Sequence, residues 1–317
     1  MIKPEDNFKT VDNILSEGPT GMTVTELCSL MGVSRSGYYN WKTHKSFHEA
    51  QEQKDKEDFD LILQAYKKHP YKRGARGIYM TLLHDGCRMN LKKIRRLMKK
   101  FGLKCPVRKA NPYRRMAKAL KTSSTADNLV KREFEEHGPR KILLTDITYI
   151  KTRFGMTYLS TILDSCTKEV LAWQLSDSLE VDFVLATVAQ LLENHKSELA
   201  ADPIIHSDQG FHYTSHRFID LVKSKRLRQS MSRKGNCWDN APQESFFGHM
   251  KDDLKGILLK AENIEQVKAE IGQWMDYYNH DRYQWDLARL SPCEYYQYIT
   301  TGNYPLKEIP GKIGDFS

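Results

Sequence analysis

Four ionisable residues, far apart along the chain, have the types and settings that metal-assisted chemistry uses: Asp146, Asp208, Glu244 and Lys251. Asp146 sits in the middle of Lys141-Ile142-Leu143-Leu144-Thr145-Asp146-Ile147-Thr148-Tyr149-Ile150, whose apolar and β-branched content reads as a strand. An ionised carboxylate inside a sheet is costly alone and needs a cation or a hydrogen-bonding network. Asp208 follows the short apolar run Pro203-Ile204-Ile205, so its carboxylate falls at the C-terminal edge of a buried strand. Asn240 reads as the cap of a helix with Pro242 near its start, which puts Glu244 in the first turn. Lys251 comes seven residues, about two turns, later on the same face. A divalent metal shared by the three acids would satisfy Asp146, and carboxylates are the hard oxygen ligands that magnesium accepts.

The words around these acids are specific. They are His206-Ser207-Asp208-Gln209-Gly210, Ser232-Arg233-Lys234-Gly235-Asn236 and Asp239-Asn240-Ala241-Pro242-Gln243-Glu244-Ser245-Phe246-Phe247, with 35 residues between Asp208 and Glu244. The set resembles the acidic triad of DDE transposases and retroviral integrases, and within them the second reading-frame product of the IS3 family of bacterial insertion sequences. The resemblance implies a ribonuclease-H-like core, and a polynucleotidyl transferase that cuts DNA 3′ ends and transfers the strand. Two Mg2+ ions would serve, with Mn2+ able to substitute. They activate the attacking oxygen, stabilise the leaving one and hold the phosphorus between them. In this reading Asp146 bridges both ions, Asp208 binds one, Glu244 binds the other and Lys251 grips a phosphate near the cut. A nuclease of the same fold without strand transfer, or a DNA-binding regulator that has lost catalysis, are the competing readings. Asp164 reads as a turn former, and His206 and His249 as supporting or surface groups, lacking metal-site spacing with cysteine.

The elements that must position these residues follow a definite order. Strands over 142–150, 156–163 and 169–175 are close enough for an antiparallel meander. A helix through Val181, Val184, Leu185, Val188, Leu191 and Leu192 follows, then strand 203–206, a helix around Phe218, Leu221 and Val222, a short strand at 227–230 and the acid-bearing helix. The predicted class is α/β, with a mixed ribonuclease-H-like sheet over 134–257, all-α helix-turn-helix modules before it and C-terminal helices over 258–317. In the last region Asn263 to Gln266 resembles a capping box, and Ile264, Val267, Ile271, Trp274, Met275 and Tyr278 form a helical stripe.

Charge is concentrated upstream of this core. The chain has 317 residues and a net charge of +9, yet 19 Lys and Arg against one acid, Asp85, lie between Lys67 and Lys121, so the remainder is net acidic. Such a segment calls for a polyanion, and DNA phosphates are the usual one. Residues 1–45 read as a helix-turn-helix with its turn at Gly32, Leu27, Leu30, Val33, Tyr38 and Trp41 as core, and Arg35, Ser36, Tyr39 and Asn40 opening a recognition helix. An ordinary helical hairpin is the alternative. Residues 46–69 form a linking helix, and 70–104 a second basic helical module in which Lys92, Lys93, Arg95, Arg96 and Lys99 are the DNA-contact candidates. Residues 105–133 read as a basic linker, and Arg233 and Lys234 add two candidate contacts beside the core. The six cysteines show no paired spacing, which implies reduced thiols rather than disulfides or zinc. With no leader pattern and no apolar run long enough for a bilayer, the expected location is the cytoplasm, on the nucleoid. The expected partners are double-stranded DNA as terminal inverted repeats and target, further copies of the chain on that DNA, and the upstream reading-frame product.

Overall fold

A computed structural model describes residues 4–18, 21–106, 137–232 and 241–307, which divide into two compact units. The first comprises residues up to Lys68 together with Lys92–Leu103. Its helices are α1 (Pro4–Ser16), α2 (Val24–Leu30), α3 (Arg35–Thr43) and α4 (Lys45–Lys67), joined by α6 (Leu91–Lys100). Local chemistry sets these boundaries. Thr23 and Glu26 cap α2 reciprocally, Gly32 takes a left-handed φ of +64° in the turn, and the Ser34 hydroxyl accepts the Gly37 N–H to start α3. Val11, Leu27, Cys28, Tyr38 and Trp41 close a small core, to which α1 contributes Val11. Leu30 is a correction, being 71% exposed. The buried stripe of α2 runs through Val24, Leu27, Cys28 and Met31, and Leu30 falls off that spacing.

In the second unit, α5 (Ala75–His84) accompanies a five-stranded sheet. The strands are β1 (Ile142–Thr152), β2 (Gly155–Asp164), β3 (Val170–Ser176), β4 (Ile204–Ser207) and β5 (Arg228–Met231), in the order β3-β2-β1-β4-β5. The first three are antiparallel, whereas β4 and β5 continue the sheet in parallel from β1. This is the ribonuclease-H-like arrangement. The parallel strands require crossovers, supplied by α7 (Val181–His195), then by the short α8 (Phe211–Thr214) and α9 (His216–Ser224).

Alternation along β1 assigns its side chains to two cores. Leu143 packs with Val184, Val188, Leu191 and Phe218 from α7 and α9. Ile142, Leu144 and Ile150 pack on the opposite face with Phe246, Met250 and Leu254 of α10 (Ala241–Leu258) and with Ile271 and Trp274 of α11 (Ile264–His280). Helix α12 (Pro292–Thr301) completes the unit, with Pro292 in its first turn and a reciprocal Ser291–Glu294 cap. The α11 cap departs from a true box: Asn263 accepts the Gln266 N–H, but Gln266 reaches back to the N–H of Glu262. No helix among the described residues is long and apolar enough to cross a membrane.

Candidate active site

Side-chain parity in β1 decides where Asp146 points. It shares the face of Ile142 and Leu144, so its carboxylate is directed toward α10, where Glu244 occupies the first turn. Asp208 is the residue after β4, the strand paired in parallel beside β1. Its Oδ1 accepts the Gly210 N–H at 2.8 Å, which holds the carboxylate in a tight turn. Glu244 and Lys251 are both on the exposed side of α10.

The electrostatics tie the groups together. Burial pushes the Asp146 carboxyl up to about 7, the charge of Asp208 adds to this, and Glu244 adds further. The Ile147 N–H, donated at 2.8 Å, and the charge of Lys251 pull the other way without offsetting it. Oxygen donors in excess of positive charge suit a hard divalent cation. Among the described residues no three His, Cys, Asp or Glu side chains are already drawn to metal-ligand spacing, so the carboxylates act on one another through charge and not as a closed cage.

Three families of sequence model match the chain: an integrase core domain over residues 136–237, an HTH-like domain over 52–111 and a second integrase core domain model over 225–292. An uncharacterized transposase-like protein of Haemophilus influenzae is 35% identical over 215 residues, covering 67% of this chain and 95% of the relative. The putative transposase InsK for insertion sequence element IS150 of Escherichia coli is 32% identical over 234 residues, covering 74% and 81%. The transposase InsF for insertion sequence IS3A of the same organism is 26% identical over 281 residues, covering 86% and 93%. The chain belongs to the DDE transposases of the IS3 family of insertion sequences. Among solved structures, the catalytic core domain of BIV integrase is similar at TM-score 0.41 and 19% identity, covering 52% of this chain and 99% of that one. The simian T-cell lymphotropic virus intasome gives 0.44 and 14%, with 81% and 79% covered.

Several residues that brace the transposase's site carry no charge, and sequence reasoning passed over them. The buried Gln243 amide donates to the hydroxyl of Thr161, and Thr161 is the residue of β2 directly opposite Asp146. The first turn of α10 is thereby pinned to the sheet beside the carboxylate it must face. The only signal available was an amide next to an acid in a helix start. Asn279 makes two 2.9 Å bonds to the backbone of Val170, tying α11 to β3. Asp164 is a turn residue: it is buried at the end of β2, accepts from Thr167 at 2.8 Å and lies 3.6 Å from Arg140. His206 is also structural, hydrogen-bonded to Ser230 at 2.9 Å across β4 and β5.

The basic residues divide by use. Lys72 donates to the Asp252 carbonyl at 2.7 Å, and the buried Arg73 donates to Thr81 and stacks over Tyr277, so both seat the segment before α5 against α10 and α11. Arg282 lines a cavity of about 220 Å³ with Lys72, Arg73, His249, Asp252 and Asp253. In the first unit, Arg96 makes a bidentate pair with Asp55 at 2.7 Å, Lys100 bonds Glu52 and Asp55, and Lys93 pairs with Asp58. Lys92, Arg95 and Lys99 are exposed. On α3 the structure puts Arg35, Ser36, Tyr39 and Asn40 on one exposed side, with the Arg35 guanidinium 5.7 Å from the Tyr39 ring. Arg233, Lys234, the Asn240 cap and residues 107–133 of the basic linker lie outside the described residues.

Proposed function

We propose that the transposase carries out both steps of DNA transposition, 3′-end hydrolysis at the element's terminal repeats and transfer of the freed 3′-hydroxyl to target DNA, with Asp146, Asp208 and Glu244 as the ligands of two Mg2+ ions. What supports this reading is the charge coupling at one point of the sheet: Asp146 is held up by burial and by Asp208 and Glu244, from three separate elements. When bound, the ions supply activation of the attacking oxygen and stabilisation of the leaving one. The chain's own residues perform the rest. Ile147 orients the Asp146 carboxylate through its N–H, Gly210 orients Asp208, and the Gln243–Thr161 bond sets the approach of Glu244. Lys251, two turns along the exposed side of α10 from Glu244, presents a cation to a phosphate oxygen near the cut.

The exposed side of α3, carrying Arg35, Ser36, Tyr39 and Asn40, reads terminal-repeat sequence in this account, while Lys92, Arg95 and Lys99 contact phosphates. Recognition of two ends calls for more than one copy of the chain, and the upstream reading-frame product joins that assembly. The deciding experiment incubates the protein with labelled element ends and Mg2+, and separately with precut 3′-hydroxyl ends and a target plasmid. Asp208→Asn is expected to abolish cleavage and joining while leaving end binding intact. Joined product from the Asn variant would refute the assignment, and cleavage by the native chain with no joining of precut ends would reduce it to a nuclease.

A further inference from the structure

Phe211 is 74% exposed, more than any other large apolar side chain among the described residues. Its neighbours are held tightly. On one side, Asp208 Oδ1 accepts the Gly210 N–H at 2.8 Å, and a Cβ on Gly210 would come within 2.9 Å of that same oxygen. A side chain at this position would have to push the Asp208 carboxylate aside. On the other side, His212 Nε2 is bonded to the Leu179 carbonyl at 2.9 Å, and the fully buried Tyr213 has its carbonyl bonded by the Gln229 amide at 2.7 Å. Thr214 closes the turn onto the Gly210 carbonyl at 3.3 Å. From Asp208 to Thr214, then, the chain is fixed to β5, to the start of α7 and to itself, and it holds one aromatic ring out in solvent. The His212 ring meets that ring edge-on at 5.9 Å.

We propose that Phe211 is a DNA-contacting residue whose ring stacks on a nucleobase flanking the scissile phosphate. The inference rests on the reading of Asp208 as a carboxylate that faces that phosphate. If it does, the strand being cut passes over the turn that also displays Phe211, three residues away. An aromatic face stacks on any base, so the contact is independent of sequence and positions the end without reading it. The hydrogen-bonded mount reduces the ordering cost of the stack, because the backbone that carries the ring is already tied to its neighbours before DNA arrives. Stacking also favours a base that has left the duplex, the state expected of the terminal pairs at a cleaved end.

The test uses the full-length protein and a duplex element end carrying 2-aminopurine at the base beside the cleavage point, in an Asp208→Asn background so that no chemistry intervenes. Binding is expected to leave the fluorophore quenched, since the Phe211 ring replaces its neighbouring bases, Phe211→Ala to make it brighten on binding by leaving the extruded base unstacked, and Phe211→Trp to restore the quench. With Asp208 intact, Phe211→Ala is expected to slow Mg2+-dependent cleavage by about 5- to 140-fold, the equivalent of about 1–3 kcal/mol. Melting temperature should move little, since the ring is mostly exposed and the ring contact it gives up is the edge-on one to His212. Full quench and full cleavage by Phe211→Ala would overturn the proposal. So would normal DNA quench with loss of higher oligomers on sedimentation, which assigns the ring to a protein interface. Cleavage surviving Asp208→Asn would instead strike at the carboxylate assignment, and so is told apart from failure of the stacking contact.

Discussion

The Asp146 carboxyl is expected to make the transposase less stable above neutral pH than it would be without that charge. In the unfolded chain this group loses its proton near 3.8, whereas the folded protein keeps it up to about 7. Between those values the folded state binds more protons than the unfolded one, so stability falls as pH rises across that window and the loss is complete above it. At 1.36 kcal/mol per pH unit the ceiling is about 4 kcal/mol. Asp146→Asn keeps the shape and still accepts the Ile147 N–H, but cannot ionise. In chelator at pH 8 it is expected to be more stable than the native chain by about 2–4 kcal/mol, a rise of several degrees in melting temperature at roughly 2–4 °C per kcal/mol. At pH 4 the two should melt together. Mg2+ or Mn2+ at pH 8 should raise the native melting temperature and barely move that of the Asn variant, since binding to the folded state alone stabilises it. Differential scanning fluorimetry across pH, with and without metal, measures all of this. An Asn variant no more stable than the native chain at pH 8, or one equally stabilised at pH 4, would refute the argument.

Further outcomes are expected elsewhere. Gln243→Ala strands the buried Thr161 hydroxyl, which should cost about 1–3 kcal/mol in urea unfolding and slow cleavage through looser seating of Glu244; Thr161→Ser, which keeps the hydroxyl, should cost little of either. Arg96, and after burial's opposing effect Lys100, hold the Asp55 carboxyl well below the usual range. Its contribution to the first unit is therefore present above the ordinary carboxylate value and lost as pH falls below it, and Asp55→Asn should remove roughly 1.5–3 kcal/mol at pH 7 and flatten the acid limb of the melting profile. Arg95→Ala and Lys99→Ala should each lower the slope of log binding constant against log salt by about 1. Arg96→Ala should chiefly lower the melting temperature, because its charge is already paired with Asp55.

Much of the architecture is written locally. The period-2 run through β1, the apolar stripe of α7, the Ser34 and Ser291 caps and the stop at His69-Pro70 all depend on residues within a few positions of one another, and each marks an element near where it forms. The candidate carboxylates were legible for the same reason. An acid inside a strand, or just past its end, contradicts its surroundings and so draws notice. Basic residues were legible as charge but not as contacts: Lys72, Arg73, Lys93 and Arg96 count equally in the cationic segment, yet each is committed to a partner inside the protein.

By itself, then, the order of residues determined which segments become strands and helices and which acids stand at their ends, because propensity, capping and alternation are short-range effects. Only the tertiary structure decided that Thr161 lies across from Asp146 and takes the Gln243 amide, that residues 69–91 belong with the sheet's unit while 92–103 do not, and that Phe211 faces out from a turn whose other members are held. Those outcomes depend on strand register and on the docking of distant segments. Neutral groups that meet across long separations leave no periodic or charge signal in the chain.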